Sequence, residues 1–204
     1  MENLLQPNLS LTRAARFGRL WFQKRSLSPI PLFFLLLVMP ATITWTTTGY
    51  AVIVALLIGA ELIRVWAVGY AGSSTRTRGD RVKDFVHAGP YRHVRNPLYI
   101  ANILLYSGVG LLFGNPLMAA IIFVYSIVQY AFIVAYEEEI LVGTFGVQYD
   151  EFHRRVPRWI PSLAPKIQST GHVFNLKQAL KSEKSTFYSI LLMTSLFLVK
   201  KFFF

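Results

Sequence analysis

Two short polar clusters stand at the ends of apolar runs, and their residue types suit one ligand. The first is GPYRHVRNPLY, residues 89–99. Gly89-Pro90 forces a turn, and Asn96-Pro97 pairs a capping residue with a proline suited to the first helical position. A helix starting there presents free N–H groups and a partial positive charge, a natural seat for an anion. Arg92 and Arg95 flank that seat, and a guanidinium pairs bidentately with carboxylate or phosphate. The second cluster is Glu137-Glu138-Glu139, where a later apolar run ends. At equal depth, arginines and a helix start facing carboxylates make a site for a zwitterion. Each cluster has a plainer reading beside this one. The basic residues and tyrosines also suit an interfacial anchor, and the acids suit a salt bridge between loops.

A third feature is Glu61 with Arg64, spaced to share one face of a helix and pair. Ionisable groups at membrane depth are costly and point to function, although Arg64 is near enough to a span end to snorkel. Pocket lining and a structural pair both remain open for these two. Other chemistry is excluded. The chain has no cysteine. It carries no dinucleotide fingerprint, no phosphate-binding loop, no zincin motif and no nucleophile elbow. His87, His93, His153 and His172 lack the spacing of metal ligands on one helix, so no metal site is expected, and His87 and His93 read as interfacial polar groups.

These clusters must be positioned by helices in a membrane. The 204 residues are 53% hydrophobic and only 15% charged, against about 25% charged in a typical soluble domain. Of the 21 Lys and Arg, five lie at 13–25, six at 76–95 and seven at 154–184, separated by apolar runs. The net charge of +11 therefore reads as basic loops sharing one membrane face, not as a nucleic-acid surface. Roughly 20 apolar residues cross a bilayer. That predicts four spans, beginning near Pro29 and over 50–70, 97–113 and 116–136, the first kinked at Pro40. Ser28-Pro29, Asn96-Pro97 and Asn115-Pro116 are expected to cap three of them. The uncharged turns at 46–49 and 114–115 belong on the trans side. The N-terminus, the 71–96 loop and the region after 137 then face the cytoplasm.

The expected fold is thus all-α, a multi-pass transmembrane bundle with a cytoplasmic segment capping a cofactor. Residues 1–28 form an interfacial amphipathic segment, with Phe17, Leu20 and Trp21 on one face among arginines. No small-residue cleavage site follows, so it is not read as a cleavable signal. Residues 29–161 form the membrane domain and 162–204 an extension. The apolar stretch at 185–204 suits either a short fifth span or an interfacial tail.

The segment G-P-Y-R-x-V-R-N-P-L-Y at 89–99 resembles the signature of isoprenylcysteine carboxyl methyltransferases and related bacterial phospholipid-type methyltransferases. Residues 137–161 match its second half, through Glu137, Glu138, Leu141, Phe145, Gly146, Tyr149, Phe152, Val156, Pro157, Arg158, Ile160 and Pro161. The resemblance, over about 70–161, implies a membrane enzyme that uses S-adenosylmethionine and a lipidic or prenylated acceptor. It implies cofactor contacts from Arg95, Pro97, Tyr99, Glu137 and Glu138, with Gly89 and Tyr91 shaping the turn and Asn96 beside them. Asn96 stands where the prenylcysteine enzymes have histidine, and Lys83 where they often have another. Both departures point to the wider family.

The implied reaction is carboxyl O- or amine N-methylation by in-line displacement, which needs alignment more than acid–base help. Arg95 and Glu138 are the expected catalytic residues, Glu138 as base if the acceptor is an amine. The rival readings are an NADPH-dependent membrane reductase of the sterol-reductase type and a non-catalytic lipid-binding membrane protein.

Overall fold

Proline and capping chemistry divide the chain into helices in the computed structural model, which describes residues 11–72, 85–169 and 171–203. The basic residues at 76–83, Lys83 among them, lie outside the described residues, as do residues 1–10. Among the described residues there are seven α-helices and no strand: α1 (Arg13–Lys24), α2 (Ile30–Val38), α3 (Thr47–Ala71), α4 (Pro97–Leu112), α5 (Pro116–Phe145), α6 (Val147–Arg155) and α7 (Leu176–Phe203). A 3-10 turn, Gly89–Arg92, precedes α4.

Among the described residues two helices, α3 and α5, are long and apolar enough to cross a membrane, each with mean hydropathy 2.2. The other expected spans differ. The run from Pro29 gives only the nine-residue α2, about 14 Å of helix against about 30 Å of hydrocarbon. Pro40 ends this helix instead of kinking it. Met39 before it is extended, as a residue preceding proline prefers. Helix α4 is apolar but has 16 residues. The apolar end of the chain belongs to α7, a 28-residue helix packed along α3.

The caps are unequal. Asn115 accepts from the Met118 N–H at 3.1 Å, as its position predicts. Ser28 caps nothing, because α2 starts two residues later; its hydroxyl instead accepts from Gln129 at 2.6 Å. Thr46, assigned to a turn by sequence, caps α3 through the Gly49 N–H.

Helix α5 is the centre of the packing, with α1 along one side and α4 along another, while α4 also lies on α3. Helix α1 turns Ala15, Gly18 and Phe22 inward and leaves Phe17 and Leu20 exposed. The approach is close at Gly18, where a Cβ would collide with the Phe132 carbonyl of α5. At one end of the bundle the α2–α3 connection is stapled to the α4–α5 turn. Gly114 accepts from the Thr42 and Ile43 N–H groups, and the Trp45 indole donates to the Leu111 carbonyl at 2.7 Å. The two uncharged turns therefore share an end, as expected. The polar clusters lie at the other.

Candidate active site

At the polar end the two halves of the motif are laced together by backbone and side-chain hydrogen bonds. Gly89 adopts φ +55°, and a side chain there would strike the Tyr70 ring, so the turn requires glycine. The chain from Arg92 to Asn96 then runs beside the segment that follows α6. The Arg95 N–H donates to the Pro157 carbonyl at 2.9 Å, and the Ser162 N–H to the His93 carbonyl at 2.9 Å. Arg92 Nε donates to the Ile167 carbonyl at 2.8 Å. Asn96 occupies the first position before α4, but its side chain does not cap the helix. It donates to the Arg158 carbonyl at 3.2 Å, exchanging the expected cap for a tie between the motif halves.

Adjacent residues of α5 project about 100° apart around the helix, so Glu137 and Glu138 serve different clusters. Glu138 is buried and faces α6 and the α4 start. Its Oε1 lies 3.1 Å from Arg95 Nε, its Oε2 pairs with Arg158 Nη2, and His153 Nε2 stands 3.6 Å away. Arg95 also donates to the His153 carbonyl. Burial pulls the Arg95 guanidinium below its ordinary value while Glu138 opposes the shift. Tyr149 packs beside this cluster, and burial together with the Glu138 carboxylate pushes its hydroxyl up. A cavity of about 300 Å³ opens here, lined by Glu138, Glu139, His153 and Arg158.

Glu137 faces α4. The Tyr99 hydroxyl donates to both of its oxygens, at 2.8 and 2.9 Å. Tyr99 stacks on Tyr130, with centroids 4.5 Å apart and planes at 22°. Tyr91, on the 3-10 turn, has its hydroxyl pushed up by burial, with the Glu137 carboxylate adding to the effect. The third acid, Glu139, holds the start of α1, accepting from the Thr12 hydroxyl and N–H. Glu138 thus forms salt bridges, as the plainer reading has it, while Glu137 holds the Tyr99 hydroxyl and Glu139 the start of α1.

A larger cavity, about 1460 Å³, lies between α2, α3, α4 and α7. Its wall is mostly aliphatic, with Tyr99, Asn102, Tyr130, Glu61, Arg64 and Glu183 among the polar lining groups. The Glu61–Arg64 pair forms at 3.3 Å and also lines this cavity, so the two readings of it coincide. Arg64 does not snorkel. It is buried and bonded to Asn102, Glu183 and Thr186.

Of the residues singled out by sequence, Arg95 and Glu138 meet each other, and Tyr99 meets Glu137. Pro97 is buried at the α4 start, and Gly89 and Tyr91 shape the turn before it. Arg158 was visible only as a motif position and His153 only as an isolated histidine. Asn102 and Glu183 carry no sequence signal, Asn102 because it is one polar residue among apolar neighbours and Glu183 because it is one of several polar residues in the run 181–186.

The family model for phospholipid methyltransferase matches residues 34–148, more than half of the chain. The chain belongs to the phospholipid methyltransferase family. The matched region contains both the Arg95–Tyr99 segment and the Glu137–Glu138 pair, and it ends before His153, Arg158 and α7. The chain is 29% identical to protein-S-isoprenylcysteine O-methyltransferase B of Arabidopsis thaliana, over 52% of this chain and 56% of that protein. It is 27% identical to nickel-cobalt-cadmium resistance protein NccN of Alcaligenes xylosoxydans xylosoxydans, over 53% of this chain and 51% of the relative. It is also 27% identical to cobalt-zinc-cadmium resistance protein CzcN of Cupriavidus metallidurans, over 52% and 45%. The chain spans about half the length of the curated relatives it matches. No solved structure matches it. Membership in a membrane methyltransferase family disfavours the reductase reading.

Proposed function

We propose that the protein is an integral membrane methyltransferase that uses S-adenosylmethionine and methylates a lipidic or prenylated acceptor at a carboxylate or an amine. The observation that carries this is the meeting of the two motif halves at one end of the bundle, with Tyr99 on Glu137 and Arg95 on Glu138.

The residues fit the cofactor. A carboxylate offers about four lone-pair sites; the Tyr99 hydroxyl donates to both oxygens of Glu137, and the Arg25 guanidinium acts on the same carboxylate. The remaining capacity suits an amino group or ribose hydroxyls. Arg95 and Arg158 supply positive charge toward a carboxylate. S-adenosylmethionine, when bound, supplies a methyl group on a positively charged sulfur, and attack on it requires alignment and exclusion of water. The chain's own contribution is mainly to hold and to align. Glu138, engaged by two guanidinium groups, acts as the post that orients Arg95 and Arg158. It is therefore assigned an anchoring role in place of the proton-accepting one that its sequence position suggested. The aliphatic walls of the larger cavity suit the hydrocarbon body of the acceptor, which would enter from the bilayer.

The proposed topology is multi-pass, with α4 and α7 accompanying the spans α3 and α5. The basic α1 and the laced segments around Arg95 and Arg158 then face the cytoplasm and cap the cofactor. Among the described residues no group of three or more metal-binding side chains comes together.

The test is transfer of a labelled methyl group into membrane lipids by the unaltered chain, R95A and E137A. Each substitution removes a charge-assisted contact, so transfer falls about tenfold or more. Unchanged transfer in both variants would contradict the site assignment.

A further inference from the structure

Glu183 lies on α7, outside the residues that the family model matches, yet its side chain is only 3% exposed. Its Oε2 accepts from Arg64 Nη2 at 2.6 Å. The same Arg64 nitrogen donates to the Thr186 hydroxyl at 3.0 Å, and Arg64 Nη1 donates to Asn102 Oδ1. Asn102 passes the connection on, donating through Nδ2 to the Tyr130 hydroxyl at 3.0 Å. The Tyr130 ring stacks on Tyr99, whose hydroxyl donates to Glu137. A continuous chain of polar contacts and one ring stack thus runs from α7 through α3, α4 and α5 to the carboxylate assigned to the cofactor.

The direction of control follows from the charges. Arg64 has two carboxylate neighbours, Glu61 at 3.3 Å and Glu183 at 2.6 Å. Neither Glu61 oxygen accepts a hydrogen bond from it in good geometry. Glu183, together with Asn102 and Thr186, therefore fixes the guanidinium plane. With Glu183 gone, a buried guanidinium turns toward its remaining carboxylate, because an unpaired buried charge is costly. That turn takes the donor from Asn102 Oδ1 and frees the amide that holds Tyr130. Buried polar networks of this kind have two arrangements, satisfied or broken, and coupling travels along them.

We propose that Glu183 is a positioning residue for the cofactor-site carboxylate Glu137, acting through Arg64, Asn102, Tyr130 and Tyr99. The inference rests on the reading of Tyr99 and Glu137 as cofactor contacts.

The experiment is calorimetric titration of the full chain in detergent with S-adenosylhomocysteine, for the unaltered protein, E183A, E183Q, Y130F and E183A/Y130F. Y130F removes only a hydroxyl and keeps the ring stack, so it reads the chain even if E183A folds poorly. The Kd rises about fivefold in E183A and in Y130F, and no further in the double variant, because both break one chain. E183Q keeps an acceptor for Arg64 and restores most of the affinity. Multiplication of the two single effects, or a lowered thermal midpoint in E183A with unchanged Kd, would reduce Glu183 to a tie for α7 and overturn the inference. An unaltered chain that binds nothing would overturn the methyltransferase reading itself, and this inference with it.

Discussion

Arg95 at the start of α4 and Glu138 near the end of α5 lie 3.1 Å apart, Nε to Oε1, and this pair joins the two halves of the family motif. Arg158 approaches the same carboxylate from the segment after α6. One acid thereby organises two basic groups that come from opposite sides of it in sequence.

Removing that acid strands both arginines. Glu138→Ala leaves Arg95, itself 8% exposed, without its carboxylate, and breaking a buried pair from one side costs about 3 kcal/mol. Glu138→Ala therefore lowers the thermal midpoint in detergent and opens the segment 156–167 to protease. Glu139→Ala, at the exposed Thr12 contact, leaves that segment protected.

The Tyr99–Glu137 contact separates binding from folding. Tyr99→Phe keeps the stack on Tyr130 and removes only the hydroxyl that orients Glu137. Affinity for S-adenosylhomocysteine falls by about tenfold or more, the scale of one hydrogen bond to a charged group, with little change in thermal midpoint. A loss of stability with intact affinity would show the contact to be a brace for the helices.

The closeness of α1 to α5 depends on Gly18. A Cβ at that position meets the backbone carbonyl of Phe132, which cannot rotate away, so Gly18→Ala must shift the whole helix. Overpacking of this sort costs about 1–3 kcal/mol. The variant becomes sensitive to protease cleavage at residues 25–29 between α1 and α2, while the unaltered chain resists.

Much of this arrangement was legible because the chemistry was local. Hydropathy revealed α3 and α5, Asn115 announced its cap, and Arg95 and Glu138 stood out as charges at the ends of apolar runs. The misjudged elements were decided by local backbone effects or by tertiary partners. Pro40 ended α2 by withholding the N–H that the Leu36 carbonyl would accept, and Lys200 of α7 donates to that carbonyl instead, a partner 164 residues away that composition alone did not announce. Asn96 left its capping position for the Arg158 carbonyl, a partner 62 residues away. Arg64 was pulled inward by Glu183, which no periodicity or motif marks. The meeting of the arginines with the acid cluster was expected from their common depth, but not which arginine takes which acid. Sequence supplied an anion seat and an acid, and the packing of α4 on α5 decided the pairing.

The central claim is that these two clusters hold S-adenosylmethionine, and calorimetry on the purified full chain in detergent tests it most directly. Titrations with S-adenosylmethionine, S-adenosylhomocysteine and NADPH are compared, with E137A as the control. The account predicts saturable binding of the first two, none of NADPH, and an affinity about tenfold weaker in E137A. Binding of NADPH alone, or of none of the three, would contradict it.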